Sequence, residues 1–322
     1  MTAPLLFPLA GRRVWVAGHR GMVGGALARR LAGMGCAVLT ADRAALDLRR
    51  QADVEAWLAA ARPDAVVLAA ATVGGIAAND SRPADFLYDN LMIEANVVEA
   101  AHRTGVAKLL LLGSSCIYPR DAAQPIREEA LLSGPLEPTN QWYAVAKIAG
   151  IKLCQAYRRQ HGRDFIAAMP TNLYGPGDNF DLGSGHVLPA LMRRIHEAKA
   201  AGAPAVTVWG SGTPRREFLH VDDLADACVF LMERYSDEAA INVGTGRDIA
   251  IGELAERIAA VAGWRGRFEF DRSKPDGTPV KRLDVGRLSA LGWRARIPLE
   301  EGLPATYEWF ARNAASARGI AP

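Results

Sequence analysis

The sequence has few cysteines and no motif that would pair them. Cys36, Cys116, Cys154 and Cys228 are widely spaced and include no Cys-x-x-Cys pair, which argues against a disulfide framework and a zinc knuckle. The six histidines also lack metal-ligand spacing with acids or cysteines. We therefore expect a protein of a reducing compartment, the cytoplasm, without a bound metal.

A strong charge of one sign and a long apolar run are also missing. The 38 basic and 35 acidic residues leave a formal net charge of +3, too slight and dispersed to indicate a nucleic-acid or membrane-surface protein. The longest apolar stretch, residues 65–78, contains two glycines and is shorter than the roughly 18–20 residues that span a bilayer. Residues 1–9 carry no positive start and are unlike a signal peptide. We expect neither a membrane nor a nucleic-acid partner.

What is present is ordinary globular composition, with 50% hydrophobic, 23% charged and 7% aromatic residues in a chain of 322. At roughly 100–200 residues per domain, this length predicts two domains, or one large α/β unit with an appended lobe. Short, continuously apolar runs alternate with helical patterns, as in parallel strands covered by helices on both faces. We predict an α/β fold, a Rossmann-like doubly wound parallel sheet. Its strands are expected at 14–17, 37–40, 65–70, 109–112 and 165–169, and its helices at 23–33, 54–61, 86–104 and 143–159.

The regular alternation ends after residue 169. Residues 170–185 are rich in Gly, Asn, Asp and Pro, which indicates an active-site loop rather than a linker. The composition changes again beyond residue 244, where we expect a smaller C-terminal lobe. Its elements are a helix at 251–262, a strand at 267–270, a turn at 274–277 and a final helix at 305–312.

A glycine-rich turn follows the first predicted strand and opens the first predicted helix. It reads Gly18-His19-Arg20-Gly21-Met22-Val23-Gly24. Glycines at such a junction let the backbone approach a pyrophosphate, and the N–H groups of the helix face it. Glycines also serve ordinary tight turns, so the position of this turn at the first strand–helix junction is what indicates a dinucleotide site.

The choice of cofactor depends on Asp42 and Arg43. An acid about 20 residues beyond the turn binds the ribose of NAD, whereas a basic residue accommodates the 2′-phosphate of NADP. Both are present, and Arg20 adds a positive charge that favours NADP, although Arg20 and Arg43 could also be solvated surface residues. We predict an NADP-binding Rossmann domain at 1–172, with a return contribution from about 215–245, and mainly a substrate-binding lobe at 173–322.

A tyrosine and a lysine stand four residues apart at the start of the helix expected at 143–159. Tyr143 and Lys147 therefore share one helix face. A neighbouring ammonium favours the phenolate and lowers the pKa of the tyrosine, which suits Tyr143 to exchange a proton with a carbonyl or alcohol oxygen. Ser114 follows the fourth predicted strand, at the edge where open α/β sheets bind ligands, and can hydrogen-bond the same oxygen.

Further motifs spread over nearly the whole chain. They are Gly-His-Arg-Gly-Met-Val-Gly (18–24), Leu-Gly-Ser-Ser-Cys-Ile-Tyr-Pro (112–119), Pro-Thr-Asn-Leu-Tyr-Gly-Pro (170–176), Ser-Gly-His-Val-Leu-Pro-Ala-Leu (184–191), Trp-Gly-Ser-Gly-Thr-Pro (209–214), Arg-Glu-Phe-Leu-His-Val-Asp-Asp (216–223) and Lys-Pro-Asp-Gly-Thr-Pro (274–279). Together they closely resemble the extended short-chain dehydrogenase/reductases that modify nucleotide sugars, and among these the GDP-L-fucose synthase family. The resemblance implies a homodimeric enzyme that uses NADPH. Its reaction is 3,5-epimerisation of GDP-4-keto-6-deoxy-D-mannose followed by reduction of the C4 ketone.

The resemblance also implies that Cys116 and His186 act as acid and base on the carbons that flank the ketone. Dehydratases of the superfamily resemble one another in carrying a Thr-Asp-Glu run where this sequence has Ser-Ser-Cys, so water elimination is disfavoured. A hydrogen next to a carbonyl becomes removable when fixed donors such as Ser114 and Tyr143 hold the enolate oxygen. Thiolate and imidazole both exchange protons near pH 7. Outside such a motif a cysteine is usually a small buried hydrophobe, and we interpret the other three cysteines in this way.

Ligand contacts follow from the same resemblance. The cofactor is expected to contact Leu112, Lys147, Pro170, Asn172, Leu173 and His186, in addition to the glycine turn. The GDP moiety is expected at Arg194, Trp209, Arg216 and Asp276, with Lys281 as a further candidate. The arginines can pair with phosphate oxygens and the indole offers an apolar face. The alternatives are that Trp209 is a core residue and that Arg194 lies on a solvated helix face.

Two other functions stay open. One is an epimerase/reductase acting on a related GDP-4-keto-deoxy sugar of the colitose type, with the same catalytic residues. The other is a non-catalytic NADP-binding regulatory module on a retained reductase scaffold, because fold does not imply function. A Cys116/His186 hydrolase would be expected to show a local protease signature, and neither residue has one.

Overall fold

A computed structural model describes residues 3–274 and 276–320. Pro275, in the turn expected at 274–277, lies outside the described residues. The strands are β1 (Arg13–Ala17), β2 (Ala37–Leu39), β3 (Ala65–Leu68), β4 (Lys108–Leu112), β5 (Asp164–Pro170), β6 (Asn172–Tyr174), β7 (Ala205–Trp209), β8 (Arg215–His220), β9 (Ile241–Val243), β10 (Asp248–Ala250), β11 (Arg267–Asp271) and β12 (Val280–Lys281). The helices are α1 (Met22–Ala32), α2 (Gln51–Ala61), α3 (Ile76–Ser81), α4 (Pro83–Arg103), α5 (Gln141–His161), α6 (Val187–Ala201), α7 (Val221–Arg234), α8 (Ile251–Ala262), α9 (Gly286–Leu291) and α10 (Leu299–Asn313).

The main sheet is parallel and has the strand order β2-β1-β3-β4-β5-β9. The predicted doubly wound sheet is therefore confirmed. Strand β9 joins the sheet beside β5, with Ala168 opposite Ile241, after the chain has passed through β6 to α7. The strand order reverses between β1 and β3, and at such a point the carboxyl ends of the strands leave a crevice for a ligand.

Helices cover both faces of this sheet, and β1 shows how its strands reach both. Val14 and Val16 belong to one apolar core, with residues of α1 and α7. Trp15 and Ala17 belong to the opposite core, with residues of α2, α4 and α5. Because successive side chains of a strand point to opposite faces, a strand buried on both sides must be apolar throughout, as β1 is after Arg13.

A second set of strands and helices forms the lobe. Strand β8 pairs with β6 and β12 in parallel and with β10 in antiparallel orientation, and β7 pairs in parallel with β11. Residues of α6, α8 and α10 share a third apolar core. The predicted helix 251–262 is confirmed, and the final helix begins at Leu299 rather than at 305 because Pro304 is accommodated inside it.

The sequence analysis assigned no elements between residues 186 and 244, which hold α6, β7, β8, α7 and β9. The expected loop 170–185 contains the short strand β6, which pairs with β8. None of the described helices is both long and apolar enough to cross a membrane.

Candidate active site

A cavity of about 650 Å³ opens above the carboxyl ends of β1, β3, β4 and β5 and extends to the lobe. Nearly all predicted site residues line it, although they come from distant parts of the chain. These are Gly18, Gly21, Met22, Val23, Gly24, Arg43, Leu112, Ser114, Cys116, Tyr143, Lys147, Pro170, Asn172, Leu173, His186, Arg194, Trp209, Arg216, Asp276 and Lys281. The exception is Arg20, which does not line the cavity and whose side chain is largely exposed.

The glycine turn packs tightly against the end of β3. Gly18 has a φ of +92°, and a Cβ there would lie 2.7 Å from the backbone nitrogen of Ala70. A Cβ on Gly24 would lie 2.1 Å from the Gly18 carbonyl oxygen, whereas one on Gly21 would approach nothing closer than 3.5 Å. The turn therefore leaves space at Gly21, where α1 begins with no side-chain cap and no acid in its first turn. Free N–H groups at a helix N-terminus fit a pyrophosphate.

Asp42 and Arg43, which gave a mixed signal in the sequence, have different surroundings. The Asp42 carboxylate lies 3.2 Å from Nε2 of His19 and 3.5 Å from the Arg20 guanidinium. Arg43 lines the cavity and Asp42 does not. Arg20, which was expected to contact the cofactor, therefore faces Asp42 instead. Of Arg20 and Arg43, the two basic residues proposed for the cofactor, it is Arg43 that lines the cavity.

Tyr143, Lys147 and Ser114 meet at the end of β4. The Lys147 ammonium donates to the Leu112 carbonyl at 2.9 Å and lies 5.7 Å from the centre of the Tyr143 ring. The Ser114 hydroxyl lies close enough to Tyr143 to lower its pKa, and its oxygen accepts the backbone N–H of Cys116 at 3.3 Å. The strand end therefore holds a phenol, an ammonium and a hydroxyl around one point of the cavity.

The pKa of Tyr143 differs from the expectation. Burial raises this pKa to about 12, and the nearby Cys116 and Glu94 also raise it, while Lys147 and the Ser114 hydrogen bond lower it. Lys147 lowers the pKa of Tyr143, as predicted, but loss of water around the phenol outweighs the attraction of this one cation, so the net shift is upward. At neutral pH the side chain is a phenol, which can donate a proton.

Cys116 and His186 reach the cavity from two separate segments. Cys116 lies in a short 3-10 turn after β4, and its Sγ is 3.4 Å from Nδ2 of Asn140 and 3.6 Å from Nζ of Lys281. His186 directly precedes α6. It lines the cavity, and burial and then Lys281 lower the pKa of its imidazole, which favours the neutral form that can accept a proton.

Sequence analysis missed Asn140 and Glu94. Asn140 directly precedes α5 and was not distinguishable from a helix-capping residue, yet its amide donates to Cys116. Glu94 lies 2.8 Å from Lys147, and both side chains are buried. A signal for Glu94 did exist, because it falls on the apolar stripe of α4 with Phe86 and Val97, and a buried carboxylate requires a partner.

The lobe side of the cavity carries the residues expected to meet the nucleotide. The Arg194 guanidinium lies 4.8 Å from the centre of the Trp209 ring, and Trp209 is 46% exposed, so the alternative that it is a core residue is wrong. Asp276 accepts hydrogen bonds from the Ser211 backbone and hydroxyl at 2.7 and 2.8 Å. Arg216 of β8 donates to the backbone carbonyl of Asp276 at 3.2 Å. Asp276 is therefore hydrogen-bonded both to Ser211, in the turn before β8, and to β8 itself.

The chain is similar to known proteins over nearly its whole length. The sequence profile of the NAD dependent epimerase/dehydratase family matches residues 14–244. The chain is 59% identical over 310 residues to a GDP-L-fucose synthase of Sinorhizobium fredii, with 96% of this chain and 99% of that one covered. It is 56% identical over 321 residues to the GDP-L-fucose synthase of Escherichia coli, with 97% and 100% covered. A solved structure of a GDP-L-fucose synthetase from Naegleria fowleri bound to NADP is 29% identical, covers 98% of both chains and has a TM-score of 0.89.

Proposed function

The chain belongs to the NAD dependent epimerase/dehydratase family, and from this premise we propose that it converts GDP-4-keto-6-deoxy-D-mannose to GDP-L-fucose. It is an NADP-dependent oxidoreductase and epimerase, which inverts C3 and C5 of the sugar and then reduces the C4 ketone. Relatives more than half identical over nearly their full length carry the name GDP-L-fucose synthase. This similarity favours a fucose-forming enzyme over one of the colitose type.

The observation that carries the proposal is the combination of residues in one cavity. Cys116 and His186 form a pair that can exchange protons, and Tyr143 with Lys147 forms a proton donor and its cationic neighbour. Epimerisation followed by reduction needs both pairs, whereas reduction alone needs the second. A non-catalytic nucleotide-binding module needs neither, so the complete set supports an enzyme.

The epimerisation uses the first pair. One group removes the proton from the carbon next to the ketone, and the electron pair moves onto the ketone oxygen as an enolate. The hydroxyls of Ser114 and Tyr143 stabilise that charge, and the other group returns a proton to the opposite face of the carbon. Lys281 lies 3.6 Å from the Cys116 sulfur, so a cation adjoins one of the two groups that exchange the proton.

The reduction uses the second pair. When bound, NADPH supplies the hydride that reduces C4. Tyr143 donates its proton to the C4 oxygen, which its phenol form at neutral pH allows, and Ser114 orients that oxygen. Lys147 is held by the Leu112 carbonyl, where it stabilises the charge that Tyr143 acquires and can reach a ribose hydroxyl.

The residues that would hold NADP are those of the glycine turn and the strand ends around it. The pyrophosphate fits the open N-terminus of α1 at Gly21. Arg43 meets the 2′-phosphate, since His19 and Arg20 already face Asp42. The remaining contacts in the proposal are Leu112, Lys147, Pro170, Asn172, Leu173 and His186, all of which line the cavity.

The GDP moiety of the substrate lies against the lobe. Arg194 and Arg216 pair with the diphosphate, because guanidinium groups bind phosphate oxygens through two hydrogen bonds. Burial lowers the pKa of both arginines. The negative charges of a bound diphosphate would stabilise the two guanidinium cations there. The exposed indole of Trp209 provides a stacking face, and Asp276 and Lys281 complete this part of the proposed site.

We also propose a homodimer in the cytoplasm, with the NADP-binding domain at 1–172 and about 215–245 and the lobe in the remaining chain. Exposed apolar side chains on α4 and α5, among them Tyr88, Trp142 and Val145, support an interface there. All four cysteines are free thiols, in keeping with a reducing compartment. Light scattering on the purified protein tests the oligomeric state, and a monomer at micromolar concentration would contradict it.

The experiment that tests the proposed function is a turnover assay with product identification. The purified protein receives GDP-4-keto-6-deoxy-D-mannose with NADPH or, separately, NADH, and the product sugar is identified by NMR. GDP-L-fucose formed faster with NADPH is the expected result. A different 4-keto sugar as the preferred substrate would move the proposal to the colitose type, and absence of turnover on any of them would favour the regulatory module.

A further inference from the structure

A buried carboxylate lies behind the tyrosine and lysine of the site. Glu94 extends from α4 and places Oε1 2.8 Å from the Lys147 ammonium. Both residues are 2% exposed. Transfer of a charged side chain out of water is costly unless a partner compensates it, so the short distance and the shared burial indicate one ion pair.

The structure provides specific space for this carboxylate. Gly150 on α5 faces it, and a Cβ at Gly150 would lie 2.2 Å from Oε2 of Glu94 and 2.9 Å from the Leu111 side chain. Glycine weakens the interior of a helix, and Gly150 stands in the middle of the long helix α5. Its lack of a side chain is therefore explained by the room that Glu94 requires.

The ion pair sets the charge beside the phenol. Lys147 donates to the Leu112 carbonyl and contacts Glu94, so two elements besides its own helix determine where its ammonium lies. An isolated ammonium beside Tyr143 would favour the phenolate. Glu94 offsets that cation, and the two thiols near this group, Cys116 after β4 and Cys154 on α5, add no positive charge.

We propose that Glu94 is a positioning residue for the reduction: it fixes the Lys147 ammonium and offsets its charge, so that Tyr143 keeps the proton it must donate. The inference rests on the proposed function, in which Tyr143 is the proton donor. Burial raises the pKa of Glu94, and the Lys147 ammonium lowers it. Burial in turn lowers the pKa of Lys147, whereas Glu94 raises it and the net shift is upward, so each charge favours the charged form of the other. Glu94 also contributes to the raised pKa of Tyr143.

The test is the substitution Glu94→Gln, which keeps the size of the side chain and removes its charge. Loss of a negative charge lowers the pKa of both Lys147 and Tyr143, so the coupled group loses a proton at lower pH. The decline of kcat for NADPH oxidation at alkaline pH should move down by about one pH unit. In the absence of nucleotide, ultraviolet titration of tyrosinate should move the same way, with Glu94→Gln/Tyr143→Phe as the reference that isolates Tyr143.

A matched control is Asp164→Asn, which removes the carboxylate from Lys108, a buried lysine that does not line the cavity. In this variant the decline of kcat at alkaline pH should occur at the same pH as in the wild type. Glu94→Asp, which keeps the charge, should show the alkaline decline of kcat at the pH of the wild type even if kcat falls. If the Gln variant fails to fold, Gly150→Ala, which displaces the Glu94 carboxylate, should move that decline to lower pH instead.

An unchanged alkaline limb and an unchanged tyrosinate titration in a folded Glu94→Gln protein would overturn the proposal. Absence of turnover by the wild type would instead contradict the proposed function, and the tyrosinate titration would still decide the role of Glu94. The two failures are therefore distinguishable.

Discussion

A buried lysine lies at each end of strand β4: Lys108 belongs to the strand itself, and Lys147 extends to it from helix α5. The two lysines have different surroundings. Lys108 begins the strand and lies 2.7 Å from Asp164, the first residue of β5. Lys147 reaches the other end, where it donates to Leu112, the last residue of β4, and lies 2.8 Å from Glu94. Both are lysine–carboxylate pairs beside strand β4, the first between two strands and the second between helices α4 and α5.

What differs is the surroundings of each pair. Asp164 also accepts hydrogen bonds from Arg158 and Ser236, and Lys108 donates to the Tyr235 carbonyl, so this pair ties the amino edge of the sheet to the chain around residue 235. The Lys147 pair lies at the carboxyl edge beside Tyr143, where the strands leave a crevice. The ion pair at the amino edge stabilises the fold, whereas the similar pair at the carboxyl edge lies beside the proton donor of the proposed reaction.

Removal of the phenol should have the largest effect. Tyr143→Phe should reduce NADPH oxidation by about 10³-fold, because a positioned proton donor contributes about 10²–10⁴-fold. Stopped-flow absorbance of NADPH with excess substrate measures it. If the variant oxidised NADPH near the wild-type rate, Tyr143 would not be the donor, and the carboxyl edge would have no special role in the comparison.

Removal of the thiol should have the next largest effect, on a different step. Cys116→Ser should slow exchange of the sugar protons next to the ketone by about 10²-fold, since the hydroxyl is a poor proton-exchanging group at neutral pH. NMR in deuterated buffer follows the exchange, and fluorescence titration should show unchanged NADPH binding. Full exchange in this variant would refute the role of Cys116.

A change behind the ion pair should have a smaller effect. Gly150→Ala places a methyl group 2.2 Å from the Glu94 carboxylate, which must then move from Lys147. We expect kcat to fall about tenfold and the free energy of unfolding to fall by about 1–3 kcal/mol. The control is Gly252→Ala in α8, where the added carbon would lie 3.4 Å from the nearest atom; equal losses in both variants would contradict the argument.

The smallest effect on rate is expected at the amino edge. Asp164→Asn should leave kcat and its pH profile unchanged, while the free energy of unfolding falls by about 3 kcal/mol because Lys108 is left buried without its counter-charge. Denaturant unfolding measures the loss. A shifted pH profile in this variant would show that the two ends of β4 are not independent.

The sheet was predictable because its strands are buried on both faces. The apolar run at 65–70 predicted β3, and the run at 109–112 predicted β4 to within one residue. In the lobe the strand predicted at 267–270 is confirmed as β11, but its partner β7 was not predicted. Strand β7 alternates buried and exposed residues, and its pairing depends on β11, about 60 residues further along the chain.

In the candidate site, too, some features depend on local sequence and others on the tertiary structure. Local sequence was enough for the glycine turn at 18–24 and for the shared face of Tyr143 and Lys147, because both depend on neighbours within one helical turn. The raised pKa of Tyr143, the engagement of Arg20 by Asp42 and the burial of Glu94 against Lys147 depend on burial and on charges from other elements. Electrostatic energies are set by distance and by loss of water, and both are known only once the chain has folded.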